Sequence, residues 1–499
     1  MRGEAAGLRA FADEVRAACF THAVLLDADR TGLAPGVMRR MLGVAAGFLE
    51  LTVLDDTSPA AVRAVTAAQD PRRTLFLVAS KSGDTIEVAA FERHFFEWVR
   101  ATRGEDAGSA FIAVTDPGSA LARRAGERGY RRVFLDPPGV DGRYAALSFF
   151  GLVPAALIGA DPAELLASAA RELDEARRDP AGGAGVAFGA AVAEAALAGH
   201  DKLTLAFGPR WAPFGAWVEQ LVAGSAGRDG RGIVPVDGEA IGPAALAAAD
   251  RAFVATPDLD RELGHRLAHG AGPAWLLDLE APRDLGAAFA RWEIATVTAA
   301  AVLGVDPFDE RDEAAAGPAT RAVVERALAA GDLPAGEPLA RGDGWSLFAA
   351  GRAEAALRVA AAREPRAALA ALLALGRPGD HVALRAWLHA TPAVESALQR
   401  LRARVGARSG LATTLGHGPR SLRTTGQSHQ REAGDGLFLQ VTADAGPDVA
   451  IPGARHGFAL LRRAQAAAEY AALVGRGRRV ARLHLEDDPA TVLDRLLGT

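Results

Sequence analysis

A short polar stretch between a predicted buried strand and a long predicted helix could bind a phosphate group. It reads ASKSGDT over residues 79–85. Hydroxyl groups, a lysine and unpaired backbone N–H groups at the start of a helix suit a phosphate dianion, and Gly83 lets the backbone approach it closely. A helix cap followed by a solvated lysine would give the same pattern, but we favour the phosphate site. Its candidate ligands are Ser80, Lys81, Ser82 and Thr85.

Two other loops carry side chains with catalytic potential. Arg143 lies in the turn GVDGRY (139–144), directly after a predicted strand. His429 lies in the segment TTGQSH (424–429), where small and hydroxyl residues surround it in a loop that precedes another strand. By itself, either residue could be an ordinary loop side chain without a chemical role. Their function therefore depends on what the fold places beside them.

Histidine and cysteine residues offer weaker signals. His265 and His269 are spaced i, i+4 and could share a metal ion, but no third ligand lies nearby in sequence. A solvated helix face is the interpretation we favour, so no metal site is predicted. The single cysteine, Cys19, excludes an internal disulfide and fits a reducing compartment. It precedes the apolar run at 23–26, which predicts a buried thiol.

The first third of the chain alternates short apolar runs with amphipathic segments. The runs predict five strands at 22–26, 50–54, 74–79, 110–115 and 132–135. Continuous apolar strands that alternate with helices indicate a parallel sheet covered on both faces. Ligands of such sheets bind outside the carboxyl ends of the strands, and that is where the polar loops lie.

The rest of the chain predicts a helical connection and a second alternating unit. Asp161 and Pro162 form a good helix start within a helical region at 145–200. Further strands are predicted at 202–207, 251–255, 273–278, 381–384, 436–441 and 479–483. Residues 305–375 are rich in Ala, Glu and Arg and are expected to be helical, with Gly- and Pro-containing breaks near 331–344. The predicted domains are 1–160, a connection at 161–199, and 200–499 with the insertion at about 305–375.

Composition narrows the class of protein. The 499 residues are 49% hydrophobic, which excludes wholesale disorder, and the formal net charge is −5. No basic stripe with interleaved aromatic residues is present, so a nucleic-acid partner is not predicted. No run approaches the ~20 apolar residues that span a bilayer, and the N-terminus lacks the apolar core of a signal peptide. These features predict a soluble, cytoplasmic protein without a membrane partner.

Together with the turn at 139–144, three longer segments resemble the glucose-6-phosphate isomerases, in particular the isomerase half of bacterial bifunctional transaldolase/isomerase proteins. The likeness is strongest in these three segments. They read LFLVASKSGDTIEV (75–88), FGAWVEQLVAGSAGRDGRGIVPVDGE (214–239) and GHGPRSLRTTGQSHQREAGDGLFLQVT (416–442). Their order and spacing make the resemblance specific. It extends from about residue 20 to the C-terminus, and no transaldolase portion is present.

The resemblance implies an α/β fold of two sugar-isomerase (SIS) lobes, each a flavodoxin-like parallel-sheet sandwich, with an added helical segment. The active site would lie in the cleft between the lobes, where the residues of the 80–85 loop would hold the sugar phosphate. His429 would help to open the sugar ring, and Arg143 would stabilise the enediolate formed while a proton moves between C1 and C2. The implied reaction is the interconversion of glucose 6-phosphate and fructose 6-phosphate in glycolysis and gluconeogenesis. It needs no cofactor, and a homodimer is expected.

The sequence departs from the family pattern at the base. The family's catalytic glutamate stands directly before a Ser-x-Gly-Lys/Arg sequence, and here that position is Gly224. Glycine cannot accept a proton, and a general base is typically worth 10²–10⁴-fold in rate. Glu219 is roughly 140° away around a helix, so it is not an obvious substitute.

Other departures cluster around the same pocket. The family's glycine-rich loop after the first strand is replaced by LDADRTG (26–32), in which Asp27 and Asp29 would face a dianionic substrate unless Arg30 pairs with them. Asp84 replaces a hydroxyl residue in the phosphate loop, and Asp141 replaces a small residue before Gly142. The family's C-terminal lysine has no clean match, although Arg462 and Arg463 are near the expected position.

Three hypotheses follow from this combination of retained and lost residues. The protein could be an aldose–ketose isomerase in which another carboxylate or a water molecule acts as the base. It could be a catalytically silent phosphosugar-binding protein with a regulatory or assembly role. It could also be an SIS enzyme with altered chemistry, in which Asp27 or Asp29 supplies the missing carboxylate.

Overall fold

The computed structural model is an α/β protein whose described residues form three larger sheets and a two-stranded ribbon. It describes residues 1–28, 30–228, 231–309, 313–333, 336–359, 365–423 and 436–497. Apolar residues of the first two sheets and their helices form one continuous core, and the third sheet has a core of its own. Among the described residues, no helix combines the length and the apolar composition needed to cross a bilayer.

The first sheet is fully parallel, with strand order β2-β1-β3-β4-β5. Its strands are β1 (His22–Leu26), β2 (Glu50–Leu54), β3 (Thr74–Ala79), β4 (Phe111–Thr115) and β5 (Arg132–Leu135). The helices around it are α1 (Ala5–Ala17), α2 (Leu33–Leu42), α3 (Pro59–Ala68), α4 (Ile86–Arg103) and α5 (Ala120–Glu127). Strands β3 and β4 are buried along their whole length, as their unbroken apolar runs predict. All five predicted strands are confirmed.

A helical region connects the first sheet to the second. It consists of α6 (Phe149–Leu157), α7 (Pro162–Arg178) and α8 (Ala184–Leu197). The side chain of Asp161 accepts a hydrogen bond from the backbone N–H of Ala163 at 2.8 Å, so it caps α7 as predicted. Pro162 occupies the first turn, where the missing N–H costs nothing.

The second sheet is also parallel, in the order β11-β10-β6-β9. Its strands are β6 (Lys202–Ala206), β9 (Val234–Asp237), β10 (Arg251–Ala255) and β11 (Ala274–Leu276), and a small antiparallel ribbon is formed by β7 (Gly227–Arg228) and β8 (Arg231–Gly232). The helices of this part are α9 (Ala212–Ala226), α10 (Pro243–Ala247), α11 (Arg261–Ala268), α12 (Leu285–Leu303) and α13 (Glu313–Ala330).

The third sheet has the order β12-β13-β17-β16-β14-β15 and is parallel except at the β12 and β13 edge. Its strands are β12 (Ala340–Gly342), β13 (Trp345–Ala350), β14 (His381–Trp387), β15 (Ala412–His417), β16 (Gly436–Ala443) and β17 (Arg479–Leu485). Its helices are α14 (Arg352–Val359), α15 (Pro365–Leu373), α16 (Pro392–Ser409), α17 (Phe458–Gly475) and α18 (Pro489–Leu497). Strand β15 adjoins β9 of the second sheet, where the Glu239 carboxylate accepts from the backbone N–H of Thr413 at 2.8 Å.

Two expectations need correction. The segment 305–375 contains helices, but it also contributes β12 and β13, because Trp345, Ser346 and Leu347 are buried against β17 at the edge of the sheet. Cys19 is exposed instead of buried, since it occupies the turn after α1 with a positive φ of 64°. The division into domains at 160 and 200 remains a prediction.

Candidate active site

The loop after β3 is held in one conformation by its own hydrogen bonds. The Ser80 hydroxyl accepts from the backbone N–H of Gly83 at 3.1 Å and shares a hydrogen bond with the Thr85 hydroxyl at 3.0 Å. Gly83 has a positive φ of 74°, and a Cβ there would lie 2.3 Å from the backbone nitrogen of Leu121, so only glycine fits. Ser80 and Thr85 are buried and shape the loop, whereas Ser82 is exposed at its tip.

Lys81 is already paired with acidic side chains. Its Nζ atom lies 2.7 Å from Asp116 Oδ1 and 3.8 Å from Asp136 Oδ2. Burial raises the pKa of Asp136, and the nearby charge of Lys81 opposes this shift by stabilising the carboxylate. The loop therefore carries a positive charge that could bind a phosphate, but the Asp116 carboxylate neutralises part of it.

The loop after β1 contains a buried aspartate and a second ion pair. Asp27 accepts a short hydrogen bond from the Thr31 hydroxyl and is almost fully buried. Arg30 pairs with Asp141, at 3.2 Å between Nη1 and Oδ1. Asp29, the other aspartate of this loop, lies outside the described residues.

Arg143 is fully buried in the turn after β5. Its Nη2 atom lies 2.7 Å from Asp141 Oδ2, and its Nε atom donates to Asp141 Oδ1 at 3.1 Å. Asp141 also accepts from the backbone N–H of Arg143 at 2.8 Å, which caps the short 3₁₀ helix Gly142–Tyr144. Asp141 thus lies between the guanidinium groups of Arg30 and Arg143 and neutralises part of both charges.

Gly224, which stands at the expected base position, faces Arg143. The Arg143 Nη1 atom donates a short hydrogen bond to the carbonyl oxygen of Gly224 in α9. A Cβ on residue 224 would lie 2.7 Å from Arg143 Cδ. The next residue, Ser225, accepts from the Tyr144 hydroxyl at 3.0 Å, so the 143–144 turn is attached to α9 at two points.

The loops after β1, β3 and β5 meet at Gly142. A Cβ at this position would lie 3.6 Å from Arg30 Cβ, 3.6 Å from Lys81 Cδ and 3.5 Å from Thr31 Cγ2. The structure therefore brings the 80–85 loop and the 143 turn together at the carboxyl edge of the first sheet, against α9. His429, the remaining predicted site residue, lies outside the described residues.

Three polar residues near this site were not singled out from the sequence. Gln220, one helical turn before Gly224, donates from Nε2 to the carbonyl oxygen of Arg30 at 2.7 Å. Its i−4 spacing from Gly224 could have identified it. Burial raises the pKa of Glu293 to about 8, and its buried Oε1 atom has no hydrogen-bond partner among the described residues. Burial also raises the pKa of Tyr144 to about 12.

Glu219 faces a different space. It lines a cavity of about 160 Å³ together with Asp237, Arg402 and His417. Burial, and then the charge of Asp237, raise the pKa of Glu219. Neither Arg143 nor Gly224 lines this cavity, in keeping with the angle between residues 219 and 224 expected for a helix.

Helix α17 joins the third sheet to the first sheet through polar contacts. Arg462 forms a short ion pair with Asp56, and Gln465 bridges Thr57 and Glu87 at 2.8 and 2.5 Å. These contacts place the start of α17 beside the first turn of α4, next to the 80–85 loop. Arg463 points elsewhere and pairs with Asp332 at 3.0 Å.

His265 and His269 lie against each other. Their rings stack with centroids 4.2 Å apart on α11 and the residue that follows it. Within the described ranges, no three His, Cys, Asp or Glu side chains are grouped in a way that could hold a metal ion.

No family model matches the chain, but curated relatives do. Glucose-6-phosphate isomerase from Thermus thermophilus is 39% identical over 116 residues, which are 23% of this chain and 28% of that protein. The enzyme of that name from Rubrobacter xylanophilus is 29% identical over 45% of this chain and 54% of its own length. The one from Parasynechococcus marenigrum is 33% identical over 42% of this chain and 39% of its own length. The matches thus span between about a quarter and about half of these relatives.

Solved structures agree on the fold. A hypothetical protein from Thermus thermophilus superposes with a TM-score of 0.55 at 21% identity, over 64% of this chain and 89% of that one. A glucose-6-phosphate isomerase from Chlamydia trachomatis superposes with a TM-score of 0.55 at 20% identity, over 65% of this chain and 73% of that one. The parallel sheets and the loops gathered at their carboxyl edge define an α/β protein that shares the fold of these two structures. Within that class, the chain is similar to the glucose-6-phosphate isomerases.

Proposed function

We propose that this protein is a phosphosugar isomerase that interconverts glucose 6-phosphate and fructose 6-phosphate. The observation that carries the proposal is the meeting of the Ser80–Thr85 loop with Arg143 at one sheet edge, in a chain whose curated relatives are named glucose-6-phosphate isomerases. Phosphate binding would engage Lys81, Ser82 and the backbone N–H groups before α4. Ser80 and Thr85 would hold the loop in shape and offer their hydroxyls.

Chemistry in this site would depend on charge stabilisation more than on a strong base. Proton transfer between C1 and C2 passes through an enediolate, and the fixed guanidinium of Arg143 is suited to stabilise that negative charge. Because residue 224 is glycine, we propose that a water molecule or another carboxylate accepts the proton. The cost of the lost base is about 10²–10⁴-fold in rate, so we expect slow turnover. His429 is proposed to assist ring opening.

A second candidate function is phosphosugar binding without turnover. The specific observation that favours it is the pairing of Arg143 with Asp141 and with the carbonyl oxygen of Gly224, which engages the guanidinium before any substrate arrives. The two functions separate experimentally, because a binding protein is stabilised by glucose 6-phosphate but does not convert fructose 6-phosphate in a coupled dehydrogenase assay.

We also propose a cytoplasmic location, a role in glycolysis and gluconeogenesis, and assembly as a homodimer. The single cysteine supports a reducing compartment, and the names of the curated relatives support the metabolic role. Size-exclusion chromatography with light scattering tests the homodimer.

A further inference from the structure

The cavity that Glu219 lines lies where the second and third sheets adjoin. Strands β9 and β15 end beside it with Asp237 and His417, and helices α9 and α16 contribute Glu219 and Arg402 to its walls. Its volume of about 160 Å³ can hold an ion with several water molecules. Parallel sheets bind their ligands outside the carboxyl ends of the strands, and this cavity opens at such an edge.

This cavity is separate from the proposed sugar site. No residue of the 80–85 loop lines it, and neither Arg143 nor Gly224 does. Gln220 lines it, but the Nε2 atom of Gln220 is bonded to the carbonyl oxygen of Arg30 in the loop after β1. The ligands that we propose for the cavity therefore do not include Gln220.

Two carboxylates are neighbours in the cavity wall. A Cβ on Gly215 would collide with Asp237 Oδ1, so residue 215 must be glycine for this carboxylate to approach α9. Gly215 and Glu219 are four residues apart and share one face of that helix. Asp237 therefore lies beside Glu219, and both line the cavity. Burial raises the pKa of both carboxyl groups.

One buried cation acts on these two carboxylates. The guanidinium of Arg402 is buried, and its charge opposes the rise in pKa of both Glu219 and Asp237. The Nε atom of Arg402 donates to the hydroxyl of Thr413 at 3.1 Å, which is a neutral partner. The charge of Arg402 can therefore balance a single carboxylate of the pair.

The other basic side chains nearby are occupied or exposed. Three are in ion pairs: Arg420 with Asp55 at 2.9 Å, His417 with Glu395 at 3.1 Å, and Arg385 with Glu469 at 2.5 Å. Arg40, on α2, is exposed, so solvent screens its charge. When Glu219 and Asp237 are both ionised, the cavity thus lacks a positive charge. A buried charge without compensation is costly, and either a proton or a bound cation removes that cost.

A buried hydroxyl group in the wall also points to a ligand. Ser421 lines the cavity and is 4% exposed, and its Oγ atom has no hydrogen-bond partner among the described residues. A buried hydroxyl without a partner is costly unless something in the cavity bonds to it.

We propose that this cavity binds a small monovalent cation, with the carboxylate oxygens of Glu219 and Asp237 and the hydroxyl oxygen of Ser421 as ligands. Oxygen ligands of this kind suit hard cations. The charge of Arg402 favours a monovalent ion, because a divalent ion would leave a surplus of positive charge in the cavity. Protons compete with the ion for the two carboxylates, so the cation should bind more tightly as the pH rises. The site does not depend on the proposed isomerase reaction.

Thermal unfolding in potassium chloride tests the site. Tetramethylammonium chloride at the same concentration supplies the same ionic strength, but the methyl groups of its cation keep the charge away from the carboxylates. We expect potassium chloride to raise the melting temperature in a saturable way, and by more at about pH 9 than at about pH 6. Asp237→Asn should raise the apparent Kd for potassium about tenfold or more, because a charged ligand is lost. Ser421→Ala should raise it about two- to tenfold.

Asp201 supplies a matched control. It is half-buried directly before β6, at the amino edge of the second sheet, and pairs with Lys202 at 2.7 Å. Asp201→Asn should therefore leave the potassium effect unchanged. If Asp237→Asn fails to fold by circular dichroism, Ser421→Ala decides, since it removes only a hydroxyl group.

Equal melting temperatures in the two salts, or a potassium effect that neither substitution weakens, overturns the proposal. Crystals soaked in rubidium chloride locate the ion by anomalous scattering, and we expect a rubidium peak between Glu219, Asp237 and Ser421. A cavity without such a peak also overturns the proposal. Each of these results leaves the isomerase proposal standing, because that is judged by fructose 6-phosphate turnover.

Discussion

The side chain of Arg143 occupies the space into which a side chain at residue 224 would extend. A Cβ on Gly224 would lie 2.7 Å from Arg143 Cδ, and the guanidinium donates to the Gly224 carbonyl oxygen. The expected base position is thus not an open gap beside the proposed sugar site. It is filled by the group proposed to stabilise the enediolate, and a glutamate placed at 224 would first have to displace a fully buried arginine.

Substitution of Gly224 should therefore destabilise the protein. Gly224→Ala overpacks the contact with Arg143, and overpacking costs about 1–3 kcal/mol. The matched control is Gly7→Ala in α1, where an added Cβ meets nothing within 4 Å and should stabilise by roughly 0.5–1 kcal/mol through helix propensity. Urea unfolding of both variants measures the difference. Equal effects of the two substitutions would show that Arg143 moves aside freely.

Asp116 should weaken the binding of sugar phosphates because it shares the charge of Lys81. Asp116→Asn releases Lys81 from its 2.7 Å ion pair, and we expect affinity for glucose 6-phosphate to rise about two- to fivefold, in line with ~0.5–1 kcal/mol for a partly exposed pair. Lys81→Ala should lower affinity tenfold or more.

Calorimetry or thermal shift measures these changes in affinity, with glucose as the uncharged ligand. The control is Asp106→Asn, whose carboxylate pairs at the surface with Arg103 at 3.8 Å. Equal stabilisation by glucose and glucose 6-phosphate, or no loss with Lys81→Ala, would remove the 80–85 loop from the phosphate site.

Glu293 should make stability fall as the pH rises. Burial raises the pKa of Glu293 to about 8 from an ordinary value of 4.5, so the folded state binds this proton more tightly than the unfolded state. The contribution of this proton to the free energy of unfolding is complete below pH 4.5 and is lost progressively as the pH rises to about 8. Melting temperatures between about pH 5 and 9 should decline less in Glu293→Gln than in the wild type. Some decline should remain, because burial also raises the pKa of Glu219. Parallel curves would contradict this account.

Cys19 should react with a thiol reagent in the folded protein. It is exposed in the turn after α1, so one thiol per chain should be modified by Ellman's reagent without denaturant. Cys19→Ser should show no reaction under the same conditions. A thiol that reacts only after unfolding would support the buried side chain expected from the sequence.

The first sheet could be predicted strand by strand because each strand is an apolar run bounded by polar turns. Strands β12 and β13 could not, since they lie in an Ala-rich segment with helices on either side. Pairing with β17 makes β13 a strand, and β12 in turn pairs with β13. Cys19 was misplaced because a turn, not the apolar run after it, determines its exposure.

The parts of the candidate site were proposed from the sequence, but the pairings between them were not. The Ser80–Thr85 loop was proposed from its local pattern and Arg143 from the family resemblance, and the parallel sheet explains why they meet. The occupation of the Gly224 position by Arg143 depends on residues 81 positions apart. The bridge from Gln465 to Glu87 spans 378 positions. Contacts of this kind follow from tertiary packing, which no local sequence pattern contains.

The central claim is tested most directly by the rate at which purified protein converts fructose 6-phosphate to glucose 6-phosphate, followed through a glucose-6-phosphate dehydrogenase couple. We predict turnover above the protein-free rate that saturates with substrate and is lost in both Lys81→Ala and Arg143→Ala, with each variant checked for folding by circular dichroism. Turnover about 10²–10⁴-fold slower than in an enzyme that has the base would match the glycine at residue 224. Saturable binding of glucose 6-phosphate without any conversion would contradict the isomerase proposal and favour a phosphosugar-binding protein.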